Sequence, residues 1–393
     1  GNRDIYFLRK AVEIRSAGAV ENTIIDAGGS NRRVFVFEHH GSYAAEMDNA
    51  VLIEGLTIQG GYFDNGQNGA GVYINNASPV FSNCIIQNNT VYRDAHGSSP
   101  LGGGVYVHNS NSSFLGCTIQ NNAVRGRVNH HGGHDTHPYG GGIYIGGSSM
   151  VTIDSSFVTE NLSYGDDEDH HDQSRAYIRG GGIHLSSGTL TLTNSEVSHN
   201  QVDGEGEEQD REGAGMYIGG GEVNISYSLI DNNHGAQGIW NHSSVNINQS
   251  VIANNNSHGL VEASGSIVVS NSIIWGNGSD DSGGIDYSYT NRQGNPPGGE
   301  GNITKDPWFV DSGNRDYRLL PGSVCINRGD PLESDADGTR RDMGVYIYTD
   351  THQGPTWYVA ADGDRNEGDG SVGNPLSSVL AAVNLANEGD EII

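Results

Sequence analysis

Of the sixteen histidines in this chain, His96, His130, His131, His134, His137, His170 and His171 fall inside polar stretches that interrupt a regular pattern. The stretches read TVYRDAHGSSPL (90–101), AVRGRVNHHGGHDTHPY (123–139), LSYGDDEDHHDQSRAYIR (162–179) and QVDGEGEEQDRE (201–212). The third brings Asp166, Asp167, Asp169, His170 and His171 close together in sequence. Imidazole and carboxylate are zinc ligands, and carboxylates alone suit calcium. No ligand spacing of a known zinc motif is present, so two readings stand: a divalent-ion site, or solvated, flexible polar loops. The same choice holds for two Asp/Gly loops, DPLESDADGTRRD (330–342) and DGDRNEGDG (362–370). Asp335, Asp337, Asp362 and Asp364 could bind calcium, but the spaced ligands and closing glutamate of an EF-hand are missing. The alternative is turn formation by Asp and Gly. No cofactor is required; calcium and zinc are the candidate ions. Tyr92, Tyr139, Tyr164 and Tyr177 in the polar stretches are candidate platforms for surface glycans. Strand positions facing outward hold mostly Thr, Ser and Asn, with no acid pair at the separation glycoside hydrolysis needs, so no catalytic residue is assigned.

The net charge of −28 opposes binding to nucleic acid or anionic membranes. No apolar run is long enough to span a bilayer, so membrane insertion is not expected. The chain opens on Gly1 without Met or leader, as expected of a processed or trimmed end. Cys84, Cys117 and Cys325 form no metal motif. Cys84 and Cys117 occupy equivalent repeat positions, which reads as an inward thiol stack or a strained disulfide.

The elements that carry these loops are set by a repeat. Gly71, Gly104, Gly142, Gly182, Gly215, Gly238 and Gly259 each precede an apolar triplet, the first five being VYI, VYV, IYI, IHL and MYI. Downstream stand Asn89, Asn122, Asn161, Asn200, Asn233, Asn255 and Asn277. The last two steps of that series are 22 residues, and the earlier steps are 33 or 39. A basic coil of 22 residues with insertions of 11 to 17 predicts an all-β solenoid, a parallel β-helix of about nine or ten coils. Stacked coils place Val and Ile in a shared core and the asparagines in one internal hydrogen-bonded ladder. The glycines are expected to serve positive φ and close backbone approach at the bends. The insertions are expected to cluster on one edge.

These repeats resemble the right-handed parallel β-helix superfamily of pectate-lyase type, and the GGGIYI…N phrasing is similar to the repeats of chlamydial polymorphic outer-membrane adhesins. The superfamily includes polysaccharide lyases, hydrolases, epimerases, tailspikes and passive surface proteins, so the resemblance implies fold more than activity. The GHG and RIK motifs of its polygalacturonase-like hydrolases and the DPH motif of its alginate epimerases are missing. DPWFVDSGNRDYRLLPGSVCINRGDP and DADGTRRDMGVYIY resemble the closing segment of bacterial secreted β-helix proteins, which implies an extracellular or cell-surface location in a bacterium or archaeon. WYVAADGDRNEGDGSVGNPLSSVLAAVNLANEGDEII resembles the segment that opens such a helix, yet here it follows the closing segment. The expected organisation is therefore a β-helix over 1–279, a closing segment and linker over 280–355, and a small α/β capping segment over 356–393. Its helix, near 375–387, has to bury apolar side chains against a β-helix end. The expectation is head-to-tail assembly of copies into a filament. Val379, Leu380, Val383, Leu385, Ile392 and Ile393 of one copy would meet Ile5, Phe7, Val12 and Ile14 of the next. The competing expectation is a polysaccharide-acting enzyme or carbohydrate-binding adhesin.

Overall fold

Each coil turns on single residues in the left-handed conformation. In successive coils these are Asn76, Asn83 and Asn88, then Asn109, Gly116 and Asn121, then Gly147, Ser155 and Glu160. Asparagine and glycine reach this region at least cost, which is why they recur at the corners. A one-residue corner keeps strands short, as in Val72–Asn75, Ser78–Ser82 and Ile85–Gln87. A computed structural model describes residues 3–7, 11–29, 31–38, 48–64, 66–94, 99–128, 135–167, 175–205 and 209–393. The chain divides into two compact units, Gly1–Asn246 with Ile252–Ile267 and Asn277–Gly284, and Ile247–Val251 with Val268–Gly276 and Ile285–Ile393.

In the first unit, parallel strands stack one coil upon the next in three sheets. One sheet runs in strict chain order: Ile5–Tyr6, Phe35–Glu38, Val72–Asn75, Val105–His108, Ile143–Gly146, Ile183–Leu185, Met216–Ile218, Ile239–Asn241 and Leu260–Glu262. The other two begin with Val12–Arg15 and Ile24–Asp26. On this sheet register is kept from coil to coil, so Val72, Val105, Ile143, Ile183, Met216, Ile239 and Leu260 form one buried column. Phe81 and Phe114 pair in register on a second sheet and stack at 5.2 Å, and Phe37 of the first sheet meets Phe81 edge-on at 5.8 Å. No coil buries its apolar face without a neighbour, so stability is a property of the stack.

The asparagines form a continuous internal chain. Asn89, Asn122, Asn161, Asn200, Asn233 and Asn255 each donate Nδ2–H to Oδ1 of the next, over 2.9, 3.0, 3.0, 3.1, 2.9 and 3.0 Å, ending at Asn277. Each Nδ2 also reaches a backbone carbonyl, and each Oδ1 from Asn122 onward also accepts the backbone N–H of the preceding ladder residue. Burial without partners would cost about 1–3 kcal/mol per group, so the amides satisfy the corner backbone. The ladder also explains the glycines. A Cβ on Gly142 would lie 2.6 Å from the Gly182 carbonyl oxygen and 2.9 Å from Asn161 Nδ2. Gly142 lacks positive φ, whereas Gly140 has φ of 71°. Close approach and left-handed backbone are therefore divided between neighbouring glycines.

A second chain runs through the position of the cysteines. Cys117 N–H donates to Ser156 Oγ (2.9 Å), Ser156 to Ser195 (3.0 Å) and Ser195 to Ser228 (3.2 Å). All three cysteines are free and buried.

The polar insertions, expected as solvated loops, contain paired strands. Tyr62–Phe63, Thr90–Asp94, Ala123–Val128, Leu162–Asp167 and Gln201–Glu205 form a parallel lateral sheet, and Ala176–Arg179 pairs with Gln209–Glu212 as a returning layer. Val91, Val124 and Val202 point inward and are fully buried, as are Ala176 and Ile178 from the returning layer. The two layers meet over glycine: a Cβ on Gly126 would sit 2.0 Å from Thr136 Oγ1, and one on Gly165 would sit 2.8 Å from Ala176 Cβ.

In the second unit, Val268–Ser270 pairs in parallel with Asp286–Ser288, and Ile273–Ile274 with Asn291–Arg292. Phe309–Asp311 and Asp316–Leu319 form an antiparallel hairpin over buried Tyr317. The C-terminal segment has a strand pair, Thr356–Trp357 with Glu391–Ile392, and one short helix, Val379–Leu385. Ser378 caps that helix by accepting the Ala381 N–H at 3.1 Å. The helix is shorter than the expected 375–387 because only this stretch is free of Pro and of the ensuing Asn-Glu-Gly-Asp turn.

Candidate functional site

The central letter of each apolar triplet faces outward. Tyr73, Tyr106, Tyr144, His184, Tyr217 and Trp240 are in register across six coils. From Tyr73 to Tyr217 the rings lie nearly parallel, with centroids 5.2, 5.3, 5.3 and 4.8 Å apart. Stacked rings use their faces on one another and present edges outward, so this column binds the coils together more than it offers a sugar platform.

The returning layer of the insertions packs beside this column. Tyr139 stacks on His184 at 4.5 Å, and His137 stacks on Tyr177 at 5.1 Å. Arg179 lies over the rings of Tyr139, Tyr177 and Tyr217 at 5.6, 5.5 and 4.7 Å. Its Nε donates to Glu212 at 2.6 Å, and its Nη1 donates to the Tyr139 hydroxyl at 3.3 Å. That hydroxyl lies 2.9 Å from His137 Nδ1. A partly buried chain thus runs from carboxylate through guanidinium and phenol to imidazole. Burial opposes the charge of Arg179, but Tyr139, Tyr217 and Glu212 outweigh it and hold its pKa above the ordinary value. Burial pushes Tyr139 up to about 12 and lowers His137. Burial, aided by Arg179, drops His184 to about 3, so its ring is neutral, and its buried Nδ1 has no hydrogen-bond partner. This arrangement can hold a proton between phenol and imidazole and present one compensated cation. The outward positions of this sheet, expected to hold mostly Thr, Ser and Asn, hold aromatic rings instead; the central letters of the triplets carried that signal unread, and the pairing of Arg179 with Glu212 needed the returning strands, expected as loop.

Among the expected aromatic platforms, Tyr139 and Tyr177 are occupied as described, and Tyr164 has Arg125 over its ring at 5.2 Å. Tyr92 is half-buried on the lateral sheet.

Of the expected metal ligands, Asp169, His170 and His171 lie outside the described residues, as do His96, His130, His131 and His134. Asp166 and Asp167 end the lateral strand, with Asp166 3.7 Å from Arg127 Nε. Asp364 accepts the N–H groups of Asn366 and Glu367, a turn contact, and Asp362 is exposed on the same strand. Asp337 accepts the backbone N–H groups of Thr339 and Asp350, and Asp335 accepts that of Asp342. Among the described residues, no three His, Cys, Asp or Glu side chains converge as a metal site.

The residues named for assembly fall in two places. Ile5 pairs with Phe35, Val12 with Val51 and Ile14 with Ile53, and Phe7 stacks on Phe37 at 4.3 Å. At the other end, the capping segment closes a small core of its own from Trp357, Leu376, Ala381 and Ala382, with Trp308, Leu385 and Ile392 packed against it. Asn384 Nδ2 donates to the Gly322 carbonyl at 2.8 Å. One face of the helix is covered by its own chain: Ala381 fits where Gly322 leaves room, a Cβ there lying only 2.4 Å away. Ile392 is paired with Trp357, and Ile393 donates to the Trp357 carbonyl. Val379, Leu380 and Val383 remain 61, 55 and 54% exposed.

Among known proteins, no curated protein and no solved structure matches the chain. A family described as the right-handed β-helix region matches residues 133–295, which covers the coils that carry the Arg179 cluster. With parallel sheets stacked coil on coil and this family match, the chain is a right-handed parallel β-helix with a small C-terminal helix.

Proposed function

We propose that the chain is a non-catalytic structural protein of an extracellular fibre or cell surface, joined to further β-helices through its C-terminal segment. The observation that carries this reading is the helix Val379–Leu385, VLAAVNL, in which every residue but Asn384 is apolar. A helix of that kind is stable when covered all round. Its own chain covers the Ala381, Ala382 face, and Val379, Leu380 and Val383 are left for a second apolar surface. The first coil of another copy supplies such a surface in the half-buried Ile5, Val12 and Ile14, whether that coil belongs to a separate chain or to the next repeat of a longer one. Aromatic and amide columns that spend their chemistry on neighbouring coils suit a load-bearing stack.

The test is sedimentation velocity with electron microscopy on the chain and on a Val379→Ser, Leu380→Ser, Val383→Ser triple variant. Concentration-dependent polymers that the triple variant loses are expected. A chain monomeric at every concentration, or a variant that still polymerises, overturns the reading. A second reading, a polysaccharide-binding adhesin or polysaccharide-acting enzyme, is favoured by the His137–Tyr139–Arg179–Glu212 chain. It is tested by a glycan array and by turnover assays on acidic polysaccharides, with Arg179→Ala as control.

A further inference from the structure

The closing segment carries a buried surplus of hydrogen-bond acceptors. Asp342 is fully buried; its two oxygens accept the N–H groups of Asn327 and Tyr348, each at 2.7 Å. Asp342 N–H donates to Asp335 Oδ2 at 2.7 Å, and Asn327 Nδ2 donates to Asp350 Oδ2 at 2.8 Å. Asp337 joins the set by accepting the Asp350 N–H at 2.9 Å. Two oxygens are left over. Asp335 is only 8% exposed, and its buried Oδ1 has no partner; the buried Oδ1 of Asn327 also has none. Both residues are bonded to Asp342, so the orphan oxygens belong to one cluster. The nearby guanidinium of Arg341 is engaged with Glu333 at 2.8 Å, Gln249 at 3.3 Å and the Ser334 carbonyl at 3.3 Å.

Acceptors left without donors in a buried acidic cluster call for a positive species. We propose that Asp335 and Asn327 bind a calcium ion through their Oδ1 atoms, held in place by their hydrogen bonds to Asp342 and Asp350. The donor set is all oxygen, which favours a hard cation over zinc with its preference for nitrogen and sulfur. It mixes carboxylate with neutral amide and lies on irregular backbone, which suits the six to eight flexible oxygens of calcium better than the strict octahedron of magnesium. Water completes the shell, since three side-chain carboxylates do not converge by themselves. The ion would tie Asp350, just ahead of the capping segment, to the loop at 327–342. This assignment stands apart from the fibre proposal, because it concerns a site within one chain.

The experiment uses the full chain after chelator treatment. Calcium is titrated by calorimetry and by thermal melting, magnesium is run in parallel, and terbium luminescence is read through Tyr348. A saturable calcium heat, a melting temperature that rises with calcium and a smaller magnesium effect are expected. Asp335→Asn should weaken calcium at least ten-fold. Asn327→Asp should melt lower without calcium and bind it more tightly. No heat and no shift at millimolar calcium overturns the proposal, since a proton on Asp335 then satisfies the cluster. Unchanged affinity in the variants also overturns it, because the ion then sits elsewhere. Where Asp335→Asn fails to fold, Asn327→Asp and loss of terbium emission in Tyr348→Phe decide the matter.

Discussion

Replacing one asparagine in the middle of the ladder should cost far more than replacing the last. Asn161 makes four ladder contacts: it accepts Asn122 N–H and Nδ2–H, each at 3.0 Å, and donates to Asn200 Oδ1 at 3.0 Å and to the Ile119 carbonyl at 2.9 Å. In Asn161→Ala the Asn122 amide N–H is buried without an acceptor, which costs about 1–3 kcal/mol, and the other three lost bonds cost about 1 kcal/mol each. The sum is about 4–6 kcal/mol. Asn277 accepts two bonds from Asn255 and donates one to the Ile252 carbonyl, but it is half-exposed. Water can replace its partners, and Asn277→Ala should cost about 1–2 kcal/mol. Asn161→Asp keeps both incoming donors but turns an oxygen toward two acceptors. Its folded pKa is raised by burial, so its stability should recover as pH falls and the acid protonates. Urea unfolding of the three variants, followed by circular dichroism and compared by midpoint at equal slope, measures the differences. Equal losses at positions 161 and 277, or a loss at 161 under about 1.5 kcal/mol, would refute the ladder as an energetic unit.

Gly142→Ala, whose Cβ would meet the Gly182 carbonyl and the Asn161 amide, should lower stability by about 1–3 kcal/mol or prevent folding, whereas Gly373→Ala, with nothing within 4 Å, should be neutral by the same urea assay. His184, held near a pKa of about 3 when folded, is neutral there while the unfolded chain protonates, so it removes stability as pH falls below about 6.5. His184→Phe should therefore gain on the parent by up to about 1.4 kcal/mol per pH unit between pH 6.5 and 3, and parallel pH profiles would contradict the assignment. Cys117→Ser should cost under about 1 kcal/mol, because the same station in the next three coils is Ser156, Ser195 and Ser228, whose hydroxyls accept a backbone N–H from the coil before.

The fold was legible where a residue does one job in every coil. Asn89 to Asn277 and Gly71 to Gly259 repeat because the amide fills the space a side chain at the glycine would need. The third station was half-read: Cys84 and Cys117 were seen as equivalent, but the serines that continue the series have no distinctive letter. The lateral sheet was missed because its inward column, Val91, Val124, Ser163 and Val202, runs through short polar segments and includes a serine, a pattern too thin to separate from loop. Arg179 and Glu212 belong to different coils, and only strand register brings them together. The cap was legible in its apolar letters. Which helix face meets its own chain depended on Gly322, a residue with no signal of its own.

The amide ladder has a sense of direction. From Asn89 to Asn255 each Nδ2 donates to the amide of the later coil, and from Asn122 to Asn277 each carboxamide oxygen accepts from the earlier one. Amide dipoles linked by six bonds in one sense, in a low-dielectric core, polarise one another, as in any hydrogen-bonded file. The column therefore behaves as a small electret, negative at its entrance and positive at its exit. A further coil joins it without conflict only when added in the same sense; an inverted coil would set oxygen against oxygen or N–H against N–H. Any structure that prolongs this core inherits an arrow, and its two tips are chemically different.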